Sequence, residues 1–214
     1  MLVTDRRRFP APRDGEAMAA SEMQAVETAL GSGVGIVQLR EKDLDGGALL
    51  ARADALRALC DRRGARLVVN DRVDVARIAG ADGVHLPASG LSVAEARALL
   101  PSGALVGRSA HSSAELGVAE DADYVVFGPV FDTPSKRAFG APQGLEGLRR
   151  AVAETAAPLV AIGGLDAEHA EAIAAAGAAG IAAISALLDH PEAAGRMAAS
   201  MKAASGCSDG QVSR

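Results

Sequence analysis

The stretch of sequence that decides the fold is residues 159–185, which read LVAIGGLDAEHAEAIAAAGAAGIAAIS. A short apolar run ends at Gly163-Gly164, a helix-like segment with Asp166 near its start follows, and a second apolar run ends at Ser185. The order strand, turn, helix, strand predicts a parallel, right-handed βαβ unit. Because neither run alternates apolar with polar residues, we expect both strands to be covered on both faces.

The glycine pair directly after the first of these strands indicates an anion site. Glycines at such a position let backbone N–H groups approach an anion closely. As the last βαβ unit of the chain, the stretch matches the usual phosphate site of a (β/α)8 barrel, in the loops after strands 7 and 8. A plain tight turn at Gly163-Gly164 is the alternative, and the number of strands upstream decides between them.

Eight strand–helix units follow one another at a spacing of roughly 25 residues, which is typical of a closed barrel or an open doubly wound sheet. Eight units favour a single (β/α)8 TIM barrel over residues 1–204, with residues 205–214 as a disordered tail. The first helix is predicted from about Asp14 to Leu30 and the last from Pro191 to about Ala203. The strands are predicted at residues 2–5, 34–39, 66–69, 83–86, 104–107, 124–127, 159–162 and 180–184.

The composition excludes several classes of function. The net charge of −5 and an aromatic content of 2% argue against nucleic-acid binding and against attraction to an anionic membrane. Cys60 and Cys207 form neither a disulfide framework nor a metal motif. No signal peptide or membrane-spanning run is recognisable, so a soluble cytoplasmic protein is predicted.

Polar residues after the second and third strands are typical of a site for a polyanion and a metal. Gln38, Arg40 and Lys42 alternate along an extended segment, so their side chains share one face and suit a diphosphate. A solvated charged loop in which Glu41 pairs locally is the alternative. Asn70-Asp71 offers hard oxygen ligands suited to Mg²⁺ bound to phosphate oxygens, or else an N-cap for the helix that follows.

The loop from Gly128 to Gly144 is long enough to predict a functional lid, although an ordinary exposed turn is the alternative. Its hydroxyl groups and its cation, on Thr133, Ser135 and Lys136, suit phosphate contacts. His85 in a strand is interpreted as a core histidine, and His111 as a neighbour of a helix cap. With no Ser–His–Asp or Cys–His set, the candidate residues describe a phosphate-binding site whose chemistry could rest on a leaving diphosphate.

Six motifs, read in order, resemble one known family. They are VQLREKDL, VNDRVDVA, ADGVHL, GRSAHS, ADYVVFGPVFDTPSK and PLVAIGGL. The chain resembles thiamine phosphate synthase and its paralogue, the thiazole tautomerase, from Leu2 to about Leu188. The synthase joins hydroxymethylpyrimidine diphosphate to thiazole phosphate and releases diphosphate, so the resemblance implies a transferase of thiamine biosynthesis acting on small-molecule substrates.

The resemblance also implies roles for individual residues. The C–O bond to diphosphate would break first, giving a pyrimidine cation that the thiazole nitrogen attacks. The implied catalytic residues are Arg40, Lys42, Ser109 and Lys136. The implied diphosphate ligands are Gln38, Arg40, Lys42, Asn70 and Lys136, with Mg²⁺ on Asp71 and with Ser109 beside the reacting groups. The thiazole phosphate would be bound by Thr133, Ser135, Gly163, Gly164, Ile184 and Ser185.

Two departures from the family pattern keep alternatives open. Synthases usually carry a second Mg²⁺-binding aspartate after the fourth strand, where this chain has residues 87–90, Pro-Ala-Ser-Gly, and Gly90 in place of the carboxylate. The tautomerase has a catalytic histidine where this chain has Pro129. We therefore expect a synthase, with a tautomerase-like paralogue or a non-catalytic phosphate-binding regulator as alternatives. A homodimer is an open alternative to a monomer.

Overall fold

A computed structural model describes residues 1–14, 16–119, 121–133 and 141–204 of the chain. The strands are β1 Leu2–Val3, β2 Ile36–Leu39, β3 Arg66–Asn70, β4 Gly83–Leu86, β5 Leu105–Ala110, β6 Tyr124–Phe127, β7 Leu159–Ile162 and β8 Gly180–Ala182. The helices are α1 Ala20–Gly31, α2 Gly46–Arg63, α3 Val73–Ile78, α4 Val93–Leu99, α5 Ser113–Gly117, α6 Gly144–Glu154, α7 Ala170–Ala175, α8 Ser185–Leu188 and α9 Ala193–Ala204. The predicted tail, residues 205–214, lies outside the described residues.

The eight strands form one parallel sheet in the order β1 to β8. The sheet closes on itself, because Leu2 pairs in parallel with Ala183 just beyond β8 and the Val3 N–H donates to the Ala183 carbonyl oxygen at 3.0 Å. Helices connect successive strands, as parallel pairing requires. The predicted (β/α)8 barrel is confirmed.

The strands carry continuous apolar runs because they are covered by helices outside the barrel and by side chains inside it. Leu67, Val68 and Val69 of β3, for example, are all inaccessible to solvent. Phe127 and Leu148 belong to the main core cluster, which links β6 to α6. Inside the barrel a second cluster joins buried side chains of β1, β6, β7 and β8, which are Val3, Tyr124, Val126, Ile162 and Ala182. Because the axis is packed in this way, polar ligands have to be held at the carboxyl ends of the strands.

The first helix begins at Ala20, so the prediction that it begins near Asp14 was wrong. Ala19 is extended, with φ −63° and ψ 143°, and caps the helix. The carbonyl oxygen of Ala17 accepts a hydrogen bond from Arg52 of α2 at 2.9 Å, which holds this carbonyl outside the helix. A contact between distant elements thus sets the helix start.

The end of β5 and the segment after β8 also differ from the predictions. Strand β5 extends to Ala110, three residues past the predicted end, so Arg108 and Ser109 lie within the strand. Strand β8 ends at Ala182 and is followed by the short helix α8, which the sequence did not predict. A short extra helix after the last strand is the element that forms part of the phosphate site in many (β/α)8 barrels. Among the described residues no helix is long and apolar enough to span a bilayer.

Candidate active site

Three adjoining pockets are lined by residues at or just beyond the carboxyl ends of the strands. The β2–β4 pocket, of about 290 Å³, contains Lys42, Asn70 and Asp71 together with residues of the loop after β4. The axial pocket lies inside the barrel mouth, and the β7–β8 pocket, of about 490 Å³, contains the glycine pair. The axial pocket shares Asn70 with the β2–β4 pocket and Ile184 with the β7–β8 pocket. The three therefore form one continuous site.

The axial pocket brings together five of the predicted residues from the ends of four different strands: Gln38, Arg40, Asn70, Ser109 and Ile184. Its free volume is only about 30 Å³, which is room for about one water molecule. Gln38 is 3% exposed and lies in β2, so its amide forms part of the floor. A ligand larger than water would therefore lie above the axial pocket, with Ser109 below it.

Ser109 is held by a buried hydrogen-bonded chain across the barrel. Its hydroxyl lies 2.9 Å from Nε2 of His85, and Nδ1 of His85 lies 3.3 Å from the hydroxyl of Tyr124. Burial raises the pKa of Tyr124, so the phenol stays protonated. His85 is 2% exposed, which is consistent with its interpretation as a core histidine, and its effect on the site acts through Ser109.

The β2–β4 pocket is lined by two carboxylates and two cations, which are Glu41, Asp71, Lys42 and Arg72. Lys42 follows β2, while Asn70 ends β3 and is followed directly by Asp71. Asp71 adopts the left-handed conformation, with φ +66°, and its backbone N–H donates to the His85 carbonyl oxygen at 2.9 Å. The interpretation of Asn70-Asp71 as a helix N-cap was wrong, because Arg72 is the N-cap of α3 and no side chain caps that helix.

Arg40 and Lys42 are available to bind an anion. Within the described part of the chain, neither forms an ion pair with a carboxylate. Burial lowers the pKa of Arg40, while Asp5 and Glu41 raise it. Because the pKa of arginine is normally above 12, the guanidinium keeps its charge. Two cations without a direct ion pair to a carboxylate raise the affinity of this side of the site for a polyanion.

The β7–β8 pocket is built around Gly163 and Gly164, whose φ angles are +100° and +65°. A Cβ atom on Gly163 would lie 2.7 Å from Cα of Pro129, and one on Gly164 would lie 2.7 Å from the carbonyl oxygen of Asp132. The glycines are therefore required by backbone conformation and by the close approach of the loop after β6. That loop also brings Thr133 to the pocket.

The other side of this pocket is the start of α8. Ser185 is its first residue, and Ile184 is an N-cap without a side-chain hydrogen bond to the helix. The pocket is thus formed by the loops after β6 and β7 and by the first turn of α8. Ser135, which is predicted for this pocket, and Lys136, which is predicted for the diphosphate, lie outside the described residues, so their roles stay predictions.

Several residues of this region were missed by the sequence analysis. Thr4 and Arg52 lie under the start of the β2–α2 loop, and Tyr124 supports His85. Arg108, 6% exposed, donates to the carbonyl oxygens of Ala88 and Leu91 and thereby holds the loop after β4. Arg108 and Tyr124 lie within two of the six motifs. The sequence still gives no sign of their roles, because each of the four residues acts through a contact with a segment distant in sequence.

The fold and these pockets define a (β/α)8 barrel with a phosphate-type site at the carboxyl ends of its strands. A family model described as thiamine monophosphate synthase matches residues 2–187, and the chain belongs to this family. It is 48% identical over 177 residues to a putative thiamine-phosphate synthase of Geobacter sulfurreducens, covering 81% of this chain and 79% of the relative.

Two further relatives agree with this assignment. The thiamine-phosphate synthase of Azorhizobium caulinodans is 44% identical over 193 residues, which cover 89% of this chain and 87% of the relative. The solved structure of thiamine phosphate pyrophosphorylase from Pyrococcus furiosus superposes with a TM-score of 0.82 at 32% identity, over 96% of each chain. The resemblance inferred from the six motifs is confirmed.

Proposed function

We propose that this protein is a thiamine-phosphate synthase, a transferase that couples hydroxymethylpyrimidine diphosphate to thiazole phosphate and releases diphosphate. The names of its relatives, at 44–48% identity, support this function. The observation that carries the proposal is the continuity of the three pockets. A pocket that contains Lys42 and Asp71 and a glycine-lined pocket meet at the barrel axis, so two phosphorylated substrates can meet over Ser109.

In this proposal Arg40, Lys42 and Asn70 bind the diphosphate, with Gln38 below them and with Lys136 as a further cation. Arg40 and Lys42 oppose the negative charge that grows on the diphosphate as the C–O bond breaks, and this stabilises the transition state more than the bound substrate. The lone pair of the thiazole nitrogen then forms the new C–N bond to the pyrimidine methylene carbon. Both electrons of the broken bond leave with diphosphate.

The donor set fits a Mg²⁺ ion that is shared with the substrate. Among the described residues no group of three or more His, Cys, Asp or Glu side chains could hold a metal ion, so this part of the chain does not build a complete metal cage. Mg²⁺ commonly keeps several waters and binds through one or two carboxylates plus substrate phosphates. Asp71 would hold it, and the ion would supply charge neutralisation at the leaving diphosphate.

The thiazole phosphate is assigned to the β7–β8 pocket. Backbone N–H groups at Gly163, Gly164 and the first turn of α8 would bind its oxygens, with the hydroxyls of Thr133 and Ser135 nearby. This arrangement leaves the thiazole ring pointing towards the barrel axis, where Ile184 belongs to both pockets. A cytoplasmic location, and the open alternative of a homodimer, stay predictions from the sequence.

The tautomerase alternative is less well supported. Pro129 offers no acid–base group at the position of the tautomerase histidine, and the cations Arg40 and Lys42 have no role in a reaction without diphosphate. A protein that only binds thiazole phosphate stays an outcome of the test below.

The test is a turnover assay with both phosphorylated substrates, with and without Mg²⁺, that follows thiamine phosphate and diphosphate together. We expect equal, Mg²⁺-dependent formation of both products. Lys42→Ala is expected to lower kcat/KM about 100-fold or more, because a charge-assisted contact to the leaving group is lost. Lys202→Ala, which removes an exposed lysine of α9, is the matched control. Binding of thiazole phosphate without any product would refute the synthase.

A second prediction concerns the missing carboxylate. A Cβ atom on Gly90 would lie 3.0 Å from Oδ1 of Asp71 and 2.9 Å from Cδ of Pro87, so position 90 adjoins the proposed metal ligand. Gly90→Asp is expected to lower the Mg²⁺ concentration for half-maximal activity several-fold, by adding a second anionic ligand. Gly90→Asn introduces the same crowding without the charge and should not tighten Mg²⁺ binding. Equal Mg²⁺ titrations for the two variants would contradict the account.

A further inference from the structure

The β2–α2 loop, which carries Arg40 and Lys42, is hydrogen-bonded to Thr4, the residue that follows β1. The backbone N–H of Arg40 donates to Oγ1 of Thr4 at 2.9 Å, and the Thr4 N–H donates to the Gln38 carbonyl oxygen at 3.0 Å. Thr4 is completely buried. Its hydroxyl oxygen therefore takes the place of a backbone carbonyl just where the β1–β2 ladder ends, and it fixes the backbone at Arg40.

Glu41 lies between the two cations of the loop in sequence and connects the loop to Arg6 and Arg52. Its side chain is 3% exposed. One carboxylate oxygen accepts the backbone N–H of Arg6 at 3.0 Å and lies 4.0 Å from Nη2 of Arg52. Burial raises the pKa of Glu41, whereas a hydrogen bond from the Thr4 side chain lowers it. The acid in the middle of the loop borders the β2–β4 pocket, but its carboxylate already accepts a hydrogen bond from the protein.

Arg52 connects this arrangement to the helices behind it. It is 3% exposed, forms a close ion pair with Glu22 of α1, and donates to the Ala17 carbonyl oxygen at 2.9 Å. Buried ion pairs are expensive to desolvate and contribute little net stability, so one that is retained under a binding loop points to a geometric role. On the outer side of the same loop, Asp43 pairs with Arg6 at 2.5 Å.

We infer that Thr4 and Glu41 are positioning residues for diphosphate recognition: they anchor the backbone of residues 40–42 so that Arg40 and Lys42 are presented to the ligand. The extended backbone allows Arg40 and Lys42 to face the ligand while Glu41 faces the protein, because successive side chains of an extended segment point in opposite directions. Arg40 lines the axial pocket and Lys42 the β2–β4 pocket, while Glu41, at the edge of the second pocket, accepts the backbone N–H of Arg6 from the loop after β1.

The inference rests on the proposed function, since it concerns how that site binds diphosphate. It predicts that a change in the anchor affects one of the two substrates only. Loosening the anchor should weaken the diphosphate side of the site and leave the β7–β8 pocket unchanged, because the residues of that pocket are on other loops. A merely structural network would instead lower stability without affecting one substrate more than the other.

The test uses Thr4→Val, which keeps the shape and removes the acceptor for the Arg40 N–H. We expect the KM for the pyrimidine diphosphate, and the Kd for inorganic diphosphate in the presence of Mg²⁺, to rise about tenfold, the effect of one lost hydrogen bond. The KM for thiazole phosphate should change less than twofold. Thr4→Ser, which restores the hydroxyl, should recover most of the diphosphate affinity.

Two further sets of variants distinguish a selective loss of diphosphate affinity from a general loss of stability. Asp123 accepts the Val106 N–H at 2.7 Å and pairs with Arg97 at 3.1 Å, a similar network before β6, so Asp123→Ala should lower stability and leave both KM values unchanged. If Thr4→Val does not fold, Glu41→Ala is measured in the same way, with Glu41→Gln as the milder variant.

The outcomes are distinct. An active wild-type protein whose Thr4→Val variant shows no selective rise in the KM for the pyrimidine diphosphate overturns the anchor and leaves the proposed function intact. A wild-type protein that neither binds inorganic diphosphate nor forms thiamine phosphate refutes the proposed function, and the inference with it.

Discussion

Asp71→Asn is expected to lower kcat about 100-fold or more and to abolish the response of turnover to Mg²⁺. Asp71 lines the β2–β4 pocket with Lys42, whereas the other carboxylate there, Glu41, accepts the backbone N–H of Arg6. In the described part of the chain no group of three or more His, Cys, Asp or Glu side chains could hold the metal in its place. Without this anionic ligand, the charge on the leaving diphosphate is neutralised less well, an effect worth about 3 kcal/mol for a single strong electrostatic contact.

Asparagine is the informative replacement because of the backbone at this position. Asp71 has φ +66°, a conformation that asparagine tolerates almost as well as aspartate and that alanine does not. Stability should therefore change by less than about 1 kcal/mol, and the loss of activity reports on the charge alone. With alanine, the loss of the charge could not be separated from the strain of the left-handed backbone.

The matched control for Asp71→Asn is Asp61→Asn. Asp61 is an exposed acid of α2 that pairs with Arg57 at 2.7 Å, and neither residue lines one of the three pockets. Its replacement should leave both kcat and the Mg²⁺ titration unchanged, because exposed ion pairs contribute little. Full turnover and an unchanged Mg²⁺ titration for Asp71→Asn would show that Asp71 does not hold the metal.

Gly164→Ala should raise the KM for thiazole phosphate at least tenfold and lower the free energy of unfolding by about 2–4 kcal/mol. Two costs combine at this position. Alanine at φ +65° is strained, and its Cβ atom would lie 2.7 Å from the Asp132 carbonyl oxygen and 2.9 Å from Cβ of Phe131. The loop after β6 would have to move away, taking Thr133 with it. The measurements are steady-state kinetics and denaturant unfolding.

Gly64→Ala separates these two costs. Gly64 has nearly the same backbone conformation, φ +63°, but no neighbouring atom lies within 4 Å of the Cβ position. It ends α2, away from the three pockets. This variant should lose about 1 kcal/mol of stability, from the left-handed conformation alone, with both KM values unchanged. If Gly164→Ala behaved like Gly64→Ala, the close approach of the loop would have no functional importance.

The two predictions examine opposite ends of one site. Asp71→Asn tests the metal and diphosphate side, and Gly164→Ala tests the thiazole phosphate side. In a synthase, each variant should impair the formation of thiamine phosphate while leaving the binding of the other substrate close to normal. In a protein that only binds thiazole phosphate, Gly164→Ala alone would have an effect.

The barrel itself was determined by local sequence patterns. Apolar runs without alternation, such as residues 159–162, predict strands buried on both faces, and their regular recurrence predicts the closed parallel sheet. The glycine pair and the motif from Gln38 to Lys42 likewise identify both sides of the site, because carboxyl ends of parallel strands meet on one face of a barrel.

Only the tertiary structure decided what supports that site. Helix α1 begins at Ala20 because Arg52 donates a hydrogen bond to the carbonyl oxygen of Ala17, which precedes the helix. The backbone at Arg40 is fixed by the hydroxyl of Thr4, 36 residues earlier in the chain. Gly164 is required because the loop after β6 lies against it. Residue type and spacing carry local periodicity and turn chemistry, whereas contacts between distant segments exist only after the barrel has closed, so no local pattern records them.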